Sequence, residues 1–216
     1  MTSYRRLAEL YSRQPAAVRL YVRLRLGLRL LKANEFAELL PADGVILDCG
    51  CGYGLLANYL ALDSDSRQVV GIDSDPARIA VAQATAFGRP NTSFRTGDLA
   101  GADLPMARGA VMTDFLHHLP YHTQSQVLGS VVRALEPEGI LLIREVNPAH
   151  SPRWKYWCSV AAELLMYPRP GTVKLQNRQP DDLARELRAL GLAVTYRQVD
   201  RGSPFAAIMY ECRKHA

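Results

Sequence analysis

The chain has 216 residues, of which 48% are hydrophobic and 22% charged, and a formal net charge of +5. That length suits one domain with a full core plus an appendage, and no apolar run approaches the roughly 20 residues that cross a bilayer. Met1 to Arg13 lacks the apolar stretch of a secretory signal, and Cys49, Cys51, Cys158 and Cys212 form no C-x-x-C pair, so the expectation is a cytoplasmic protein with reduced thiols.

Residues 1–41 read as a basic, amphipathic, helical arm. Its first forty residues carry eight Arg and Lys (Arg5, Arg6, Arg13, Arg19, Arg23, Arg25, Arg29, Lys32) against Glu9, Glu35 and Glu38, which leaves the rest of the chain near neutrality. Residues 4–13 predict a helix with Tyr4, Leu7, Leu10 and Tyr11 on one side, ended by Gln14-Pro15. From Ala16 to Leu40 two periods compete. R-L-R-L-G-L-R-L alternates like a strand, yet Leu20, Leu24, Leu28 and Leu31 share one helical face, and E-F-A-E-L-L continues to Pro41. Length decides for a single helix, with Gly27 as its weak point. It reads either as a cover on the core with snorkelling arginines or as a lid or membrane-surface helix.

Val45, Ile46 and Leu47 predict a buried parallel strand closed by Asp48. Gly50, Gly52 and Gly54 follow, and then Leu55, Leu56, Tyr59, Leu60 and Leu62 recur at helical spacing. A strand, a glycine turn and a helix in this order bring backbone close to a ligand. A dinucleotide loop, G-x-G-x-x-G, would need its third glycine at position 55, which is Leu55. The pattern D-x-G-x-G-x-G instead resembles the signature loop of class I S-adenosylmethionine-dependent methyltransferases, on Asp48, Gly50, Gly52 and Gly54. Cys49 and Cys51 flank Gly50, but two sulfurs do not complete a zinc site, and packing is the expected role; no metal is expected.

A second strand, residues 68–73, ends in Asp73, where a carboxylate can take both hydroxyls of a ribose. This matches the second signature of that family. Asp75 before Pro76 predicts a helix cap, and the helix runs to about Phe87 and Gly88. A short strand over 92–95 precedes T-G-D-L. The resemblance implies that Asp98 meets the adenine amino group, with Leu99 backbone beside the ring; a plain turn is the rival role for Asp98.

Residues 109–113 predict a fourth strand, followed by D-F-L-H-H-L-P at 114–120. Ligands of open α/β sheets lie at strand tips, so Asp114, Phe115, His117 and His118 are expected at the methyl-transfer site or its floor, with Asp114 among the cofactor-binding residues. Runs of this kind recur in small-molecule methyltransferases and argue against methylation of DNA bases. Residues 122–135 read as a helix, 136–139 as a turn, and 140–146 as a fifth strand. The stretch 147–180 breaks the alternation and predicts an acceptor-side helical insertion, centred on 152–167. Its apolar residues Trp154, Trp157, Leu164, Leu165 and Met166 suit a greasy acceptor or simply anchor the insertion. A helix from Asp181 to Leu190 and a hairpin of strands 192–199 and 205–212 complete the chain.

The predicted fold is α/β: a doubly wound, seven-stranded, mostly parallel sheet with an antiparallel last strand, over residues 42–213. The resemblance implies S-adenosylmethionine as methyl donor and S-adenosylhomocysteine as product. The acceptor is expected to be small, aromatic or lipid-like, methylated on oxygen or carbon. A membrane surface, at the inner face, or an acidic carrier protein is the expected setting for it, through residues 1–40. His117, His118, His122 and His150 are candidates for a proton-accepting role, with His118 and His117 nearest the strand tip. Two other classes stand beside this one: an RNA methyltransferase, for which no RNA-binding module is visible, and a non-catalytic subunit that keeps the nucleoside pocket.

Overall fold

The computed structural model describes residues 3–27, 30–146, 151–166, 176–201 and 203–216, the side chains of 163–166 excepted. Seven strands form one sheet: β1 (Gly44–Cys49), β2 (Arg67–Asp73), β3 (Thr92–Thr96), β4 (Ala107–Thr113), β5 (Leu135–Glu145), β6 (Leu192–Gln198) and β7 (Ile208–Lys214). Their order is β3-β2-β1-β4-β5-β7-β6. The first five are parallel, and β7 runs antiparallel to both β5 and β6. The chain therefore winds outward from β1 in one direction and from β4 in the other. The gap between those two strand tips is the switch point where such sheets bind ligands.

Among the described residues eight α-helices flank the sheet: α1 (Ser3–Leu10), α2 (Ala16–Gly27), α3 (Ala33–Leu39), α4 (Leu55–Asp63), α5 (Pro76–Ala86), α6 (Tyr121–Ala134), α7 (Arg153–Met166) and α8 (Pro180–Ala189). Alternate residues of each buried strand feed two cores. Ile46 and Val69 join α1, α3, α4 and α5 on one face, whereas Leu47 and Met112 join α6 and α8 on the other. α4 is buried from Leu55 to Ala61 because the sheet lies beneath it and α1 covers it.

The helices α1, α2 and α3 thus each pack a face into the core, with Leu7, Tyr11 and Phe36 essentially inaccessible. Arg67, only 2% exposed, fastens them. Its guanidinium donates to the carbonyls of Ala37 (2.7 Å) and Pro41 (2.8 Å) and pairs with Asp63 at 2.9 Å. A buried cation this well supplied with acceptors holds a geometry that an apolar side chain would not specify.

The single helix expected over 16–40 is corrected to two, α2 and α3. Between them Leu30 to Lys32 are not helical, and Lys32 has a left-handed φ of 41°. The buried stripe of α2 is Val18, Val22 and Arg25, while Leu20 is 58% exposed. The leucine face read from Leu20 is therefore not the packed one, and Leu28 lies outside the described residues. The turn expected at 136–139 falls inside β5, which starts at Leu135 with a register shift against β4 and a φ of 61° at Glu138. Asp75 caps α5 by accepting from Ala77 and Arg78 N–H groups, with Pro76 opening the helix.

Candidate active site

The turn after β1 is built from its glycines. Gly50, Gly52 and Gly54 all have positive φ (77°, 54° and 78°), a region other residues enter at a cost. Space makes a second demand at Gly50, where a Cβ would lie 2.5 Å from the Phe115 ring. At Gly52 the opposite holds: a Cβ would meet nothing within 4 Å. The bare backbone of Gly52 thus faces open space beside the switch point.

Asp73, at the tip of β2, holds this turn. Its Oδ2 accepts from Gly52 N–H at 2.8 Å and its Oδ1 from Asp75 N–H at 2.9 Å. Each carboxylate oxygen keeps capacity for a further hydrogen bond. Asp48 lies below the turn, 1% exposed, and its Oδ2 accepts from Ala57 N–H in the first turn of α4 at 3.0 Å. Burial pushes its pKa up to about 7; the Ala57 N–H opposes that rise and the neighbouring Asp73 charge adds to it. The arm reaches the turn as well, since Tyr11 donates to the carbonyl of Tyr53 at 2.7 Å and accepts from Asn58 Nδ2 at 2.8 Å.

Next to this, Gly97 N–H bonds to the Asp73 carbonyl at 3.0 Å, which brings the loop after β3 to the same edge. Asp98 is exposed and its Oδ1 accepts from Ala100 N–H at 3.0 Å, a local turn contact. Leu99 is buried in the core of the α6 face.

The loop after β4 separates its candidates. Asp114 has a φ of 50°, and its Oδ2 is shared by Arg25 (3.3 Å) and Arg144 (3.2 Å). Burial alone would raise its pKa, but Arg144 and then Arg25 hold its carboxyl below the usual value. Asp114, expected beside the donor, is engaged with Arg25 of α2 and Arg144 of β5. His117 is 2% exposed, and its Nδ1 is paired with Glu145 Oε2. Glu145 Oε1 accepts from the N–H groups of Phe115 (3.0 Å) and Leu116 (2.8 Å). His118 is half-buried, and its ring lies against that of His117 at 4.3 Å between centroids. His122 is exposed on α6, and His150 lies outside the described residues.

Tyr11, Arg25, Arg144 and Glu145 were not expected at the site. The last two had a signal: adjacent charged residues at the end of the apolar run I-L-L-I. Among the described residues no cluster of His, Cys, Asp and Glu is arranged for a metal. Burial pushes the Cys49 and Cys51 thiols well above their usual range, which makes them packing groups rather than nucleophiles.

Residues 46–139 match a family model described as a methyltransferase domain. A trans-aconitate 2-methyltransferase of Variovorax paradoxus is 30% identical over 131 residues, 57% of this chain; the match spans 47%, about half, of that relative. Among solved structures, an O-methyltransferase family protein of Burkholderia thailandensis superposes with a TM-score of 0.71 at 17% identity, over 96% of this chain and 62% of its own. The [4+2]-cyclase SpnF superposes with a TM-score of 0.69 at 19% identity, over 88% of this chain and 82% of its own. At such identities the likeness is one of fold.

Proposed function

We propose that this chain, a class I S-adenosylmethionine-dependent methyltransferase, transfers the donor's methyl group to a small acceptor seated above the tips of β4 and β5. The observation that supports this reading is the turn at Gly50–Gly54, tied by Asp73 at Gly52 and open at Gly52, where a side chain would otherwise stand. A nucleoside with an amino-acid tail fits such a surface. Asp73 is placed to accept from its ribose hydroxyls, the Gly52 backbone to lie under its tail, and the Asp98–Leu99 loop to border its adenine. Asp48 supports the turn from below.

The donor supplies a methyl carbon already activated by positive sulfur. The chain's own task is to align the acceptor in line with the C–S bond and to keep water out. As the new bond forms, the C–S electron pair stays on sulfur, and the acceptor's proton, if it has one, must leave. His118 is our candidate to take it, because His117 is fixed beneath it on Glu145. The test is incubation of the full chain with methyl-labelled donor and small-molecule extracts. Labelled product supports the reading. Donor binding without any product would support a non-catalytic role or a different reaction on this fold, such as that of the [4+2]-cyclase SpnF.

A second feature supports a surface-bound acceptor, at a membrane or on an acidic carrier. Trp154 (56%), Trp157 (61%) and Leu20 (58%) are exposed on α7 and α2, the helices that wall the Arg25 cavity. Arg19, Arg23 and Arg153 are exposed beside them in the sequence.

A further inference from the structure

We infer that the acceptor carries an anionic group, a carboxylate in particular, and that Arg144 and Arg25 hold it beside the tips of β4 and β5; the inference rests on the methyl-transfer reading. Arg144 is 5% exposed and Arg25 7%. Both reach the same Asp114 oxygen, so two buried guanidinium groups share one carboxylate oxygen. Arg144 Nη1 also donates to the Leu30 carbonyl at 3.0 Å, but its buried Nε has no hydrogen-bond partner among the described residues. Buried cations are tolerated when compensated, and an unpaired guanidinium N–H in a dry site is a demand for an acceptor.

Both arginines line a cavity of about 30 Å³. That is room for one water or for the end group of a larger molecule. Asp114, held by both arginines, also lines the cavity, and Leu30, Val146, Ala162, Phe205 and Ala206 make up its apolar walls. The hydroxyl of Ser159, also at the wall, is already engaged, donating to Lys155 O and accepting from Ala206 N–H at 3.0 Å each. Nearby charges are likewise paired, Lys155 with Asp200 and His117 with Glu145. The planar guanidinium fork is matched to a carboxylate, and the apolar walls to a hydrocarbon or aromatic body attached to it.

The donor also has a carboxylate, so the source of the anion must be decided. The cavity draws its walls from α2 and the segment after it, the loop after β4, the end of β5, α7 and the approach to β7, and none from Gly50–Gly54 or Asp73. The Phe115 ring, packed on Gly50, follows directly after Asp114. Asp114, which both arginines hold, is thus one residue from the ring that packs on the glycine turn.

The test uses the full chain loaded with S-adenosylhomocysteine, with benzoate and trans-aconitate as probes and benzamide as the neutral control, read by calorimetry. The expected result is at least one carboxylate binding roughly tenfold or more above benzamide, lost in Arg144→Met and partly restored in Arg144→Lys, with S-adenosylhomocysteine affinity unchanged. Should Arg144→Met fail to fold, the wild-type comparison of benzoate with benzamide decides alone. Equal binding of acid and amide, or no carboxylate binding at all, overturns the inference while leaving methyl transfer standing. A fall in S-adenosylhomocysteine affinity in Arg144→Met, absent for methylthioadenosine (which lacks the amino-acid tail), assigns the arginines to the donor and also overturns it. If S-adenosylhomocysteine does not bind the wild type, it is the methyl-transfer reading that fails.

Discussion

Glu145 and His117 lock the loop after β4 to the tip of β5. One Glu145 oxygen meets the imidazole Nδ1, while the other accepts two successive backbone N–H groups, from Phe115 at 3.0 Å and Leu116 at 2.8 Å. Replacing Glu145 by Ala strands both N–H groups in a buried site. The expected loss is about 2–3 kcal/mol of stability, measured by denaturant unfolding. Glu145→Gln, which keeps one acceptor oxygen, should lose less. Equal stability of Glu145→Ala and wild type would mean that the loop is held by something else.

Tyr11 links the N-terminal helices to the donor turn through the Tyr53 carbonyl. Tyr11→Phe keeps the packing and removes one hydroxyl shared by Tyr53 and Asn58. We expect a loss of about 1–2 kcal/mol in stability, together with weaker donor binding. A variant with reduced stability but unchanged donor affinity would limit Tyr11 to packing.

On the proposed reading, Asp48 is expected to make donor binding pH-sensitive. Its folded pKa of about 7 lies above the ordinary 3.8. The folded chain therefore keeps a proton where the unfolded chain has lost it. Its stabilising contribution is full below about pH 4 and is lost as pH rises through about 7. Asp48→Asn should flatten that decline in thermal melts. A bound sulfonium favours the ionised carboxylate, so donor binding should release a proton near neutrality and tighten as pH rises through 7. Calorimetry in two buffers of different ionisation enthalpy measures the proton count, and identical apparent heats would contradict the placement.

His118 and His117 divide by burial, and single substitutions should divide them by effect. His118→Ala is expected to lower turnover by roughly 10²-fold or more, if proton removal is needed, with little change in stability. His117→Ala is expected to lower stability first. Full activity across pH in both variants would end the proposal of a base on this loop.

The exposed tryptophans test the membrane reading. Deleting residues 1–40 would remove buried Leu7, Tyr11 and Phe36, so surface substitution is the cleaner probe. Wild type should bind anionic vesicles in a salt-sensitive way, and Trp154→Ala with Trp157→Ala should bind less. Equal binding by both would contradict a role for α7 in surface attachment.

Much of this architecture was legible before any coordinates. Val45–Leu47, the apolar part of residues 68–73 and residues 109–112 are uniformly apolar because both faces of a parallel strand are covered, and the glycine spacing marked the turn. The break between α2 and α3 was not legible, because Arg-Leu alternation fits two periods at once and a left-handed Lys32 carries no sequence mark. The arginine pair was hidden for another reason: Arg25 and Arg144 lie far apart in sequence and meet only when α2 crosses the tips of β4 and β5. Asp114 could be placed at a strand tip, but its partners are set by tertiary packing.

The most direct measurement is isothermal titration calorimetry of S-adenosylmethionine into the wild-type chain and into Asp73→Ala. The account predicts one site per chain in the wild type, and an affinity at least about tenfold weaker once the carboxylate that holds Gly52 and faces the ribose is removed. A wild-type chain that takes up no donor at roughly millimolar concentration, or an Asp73→Ala chain that binds it equally well, would contradict the account.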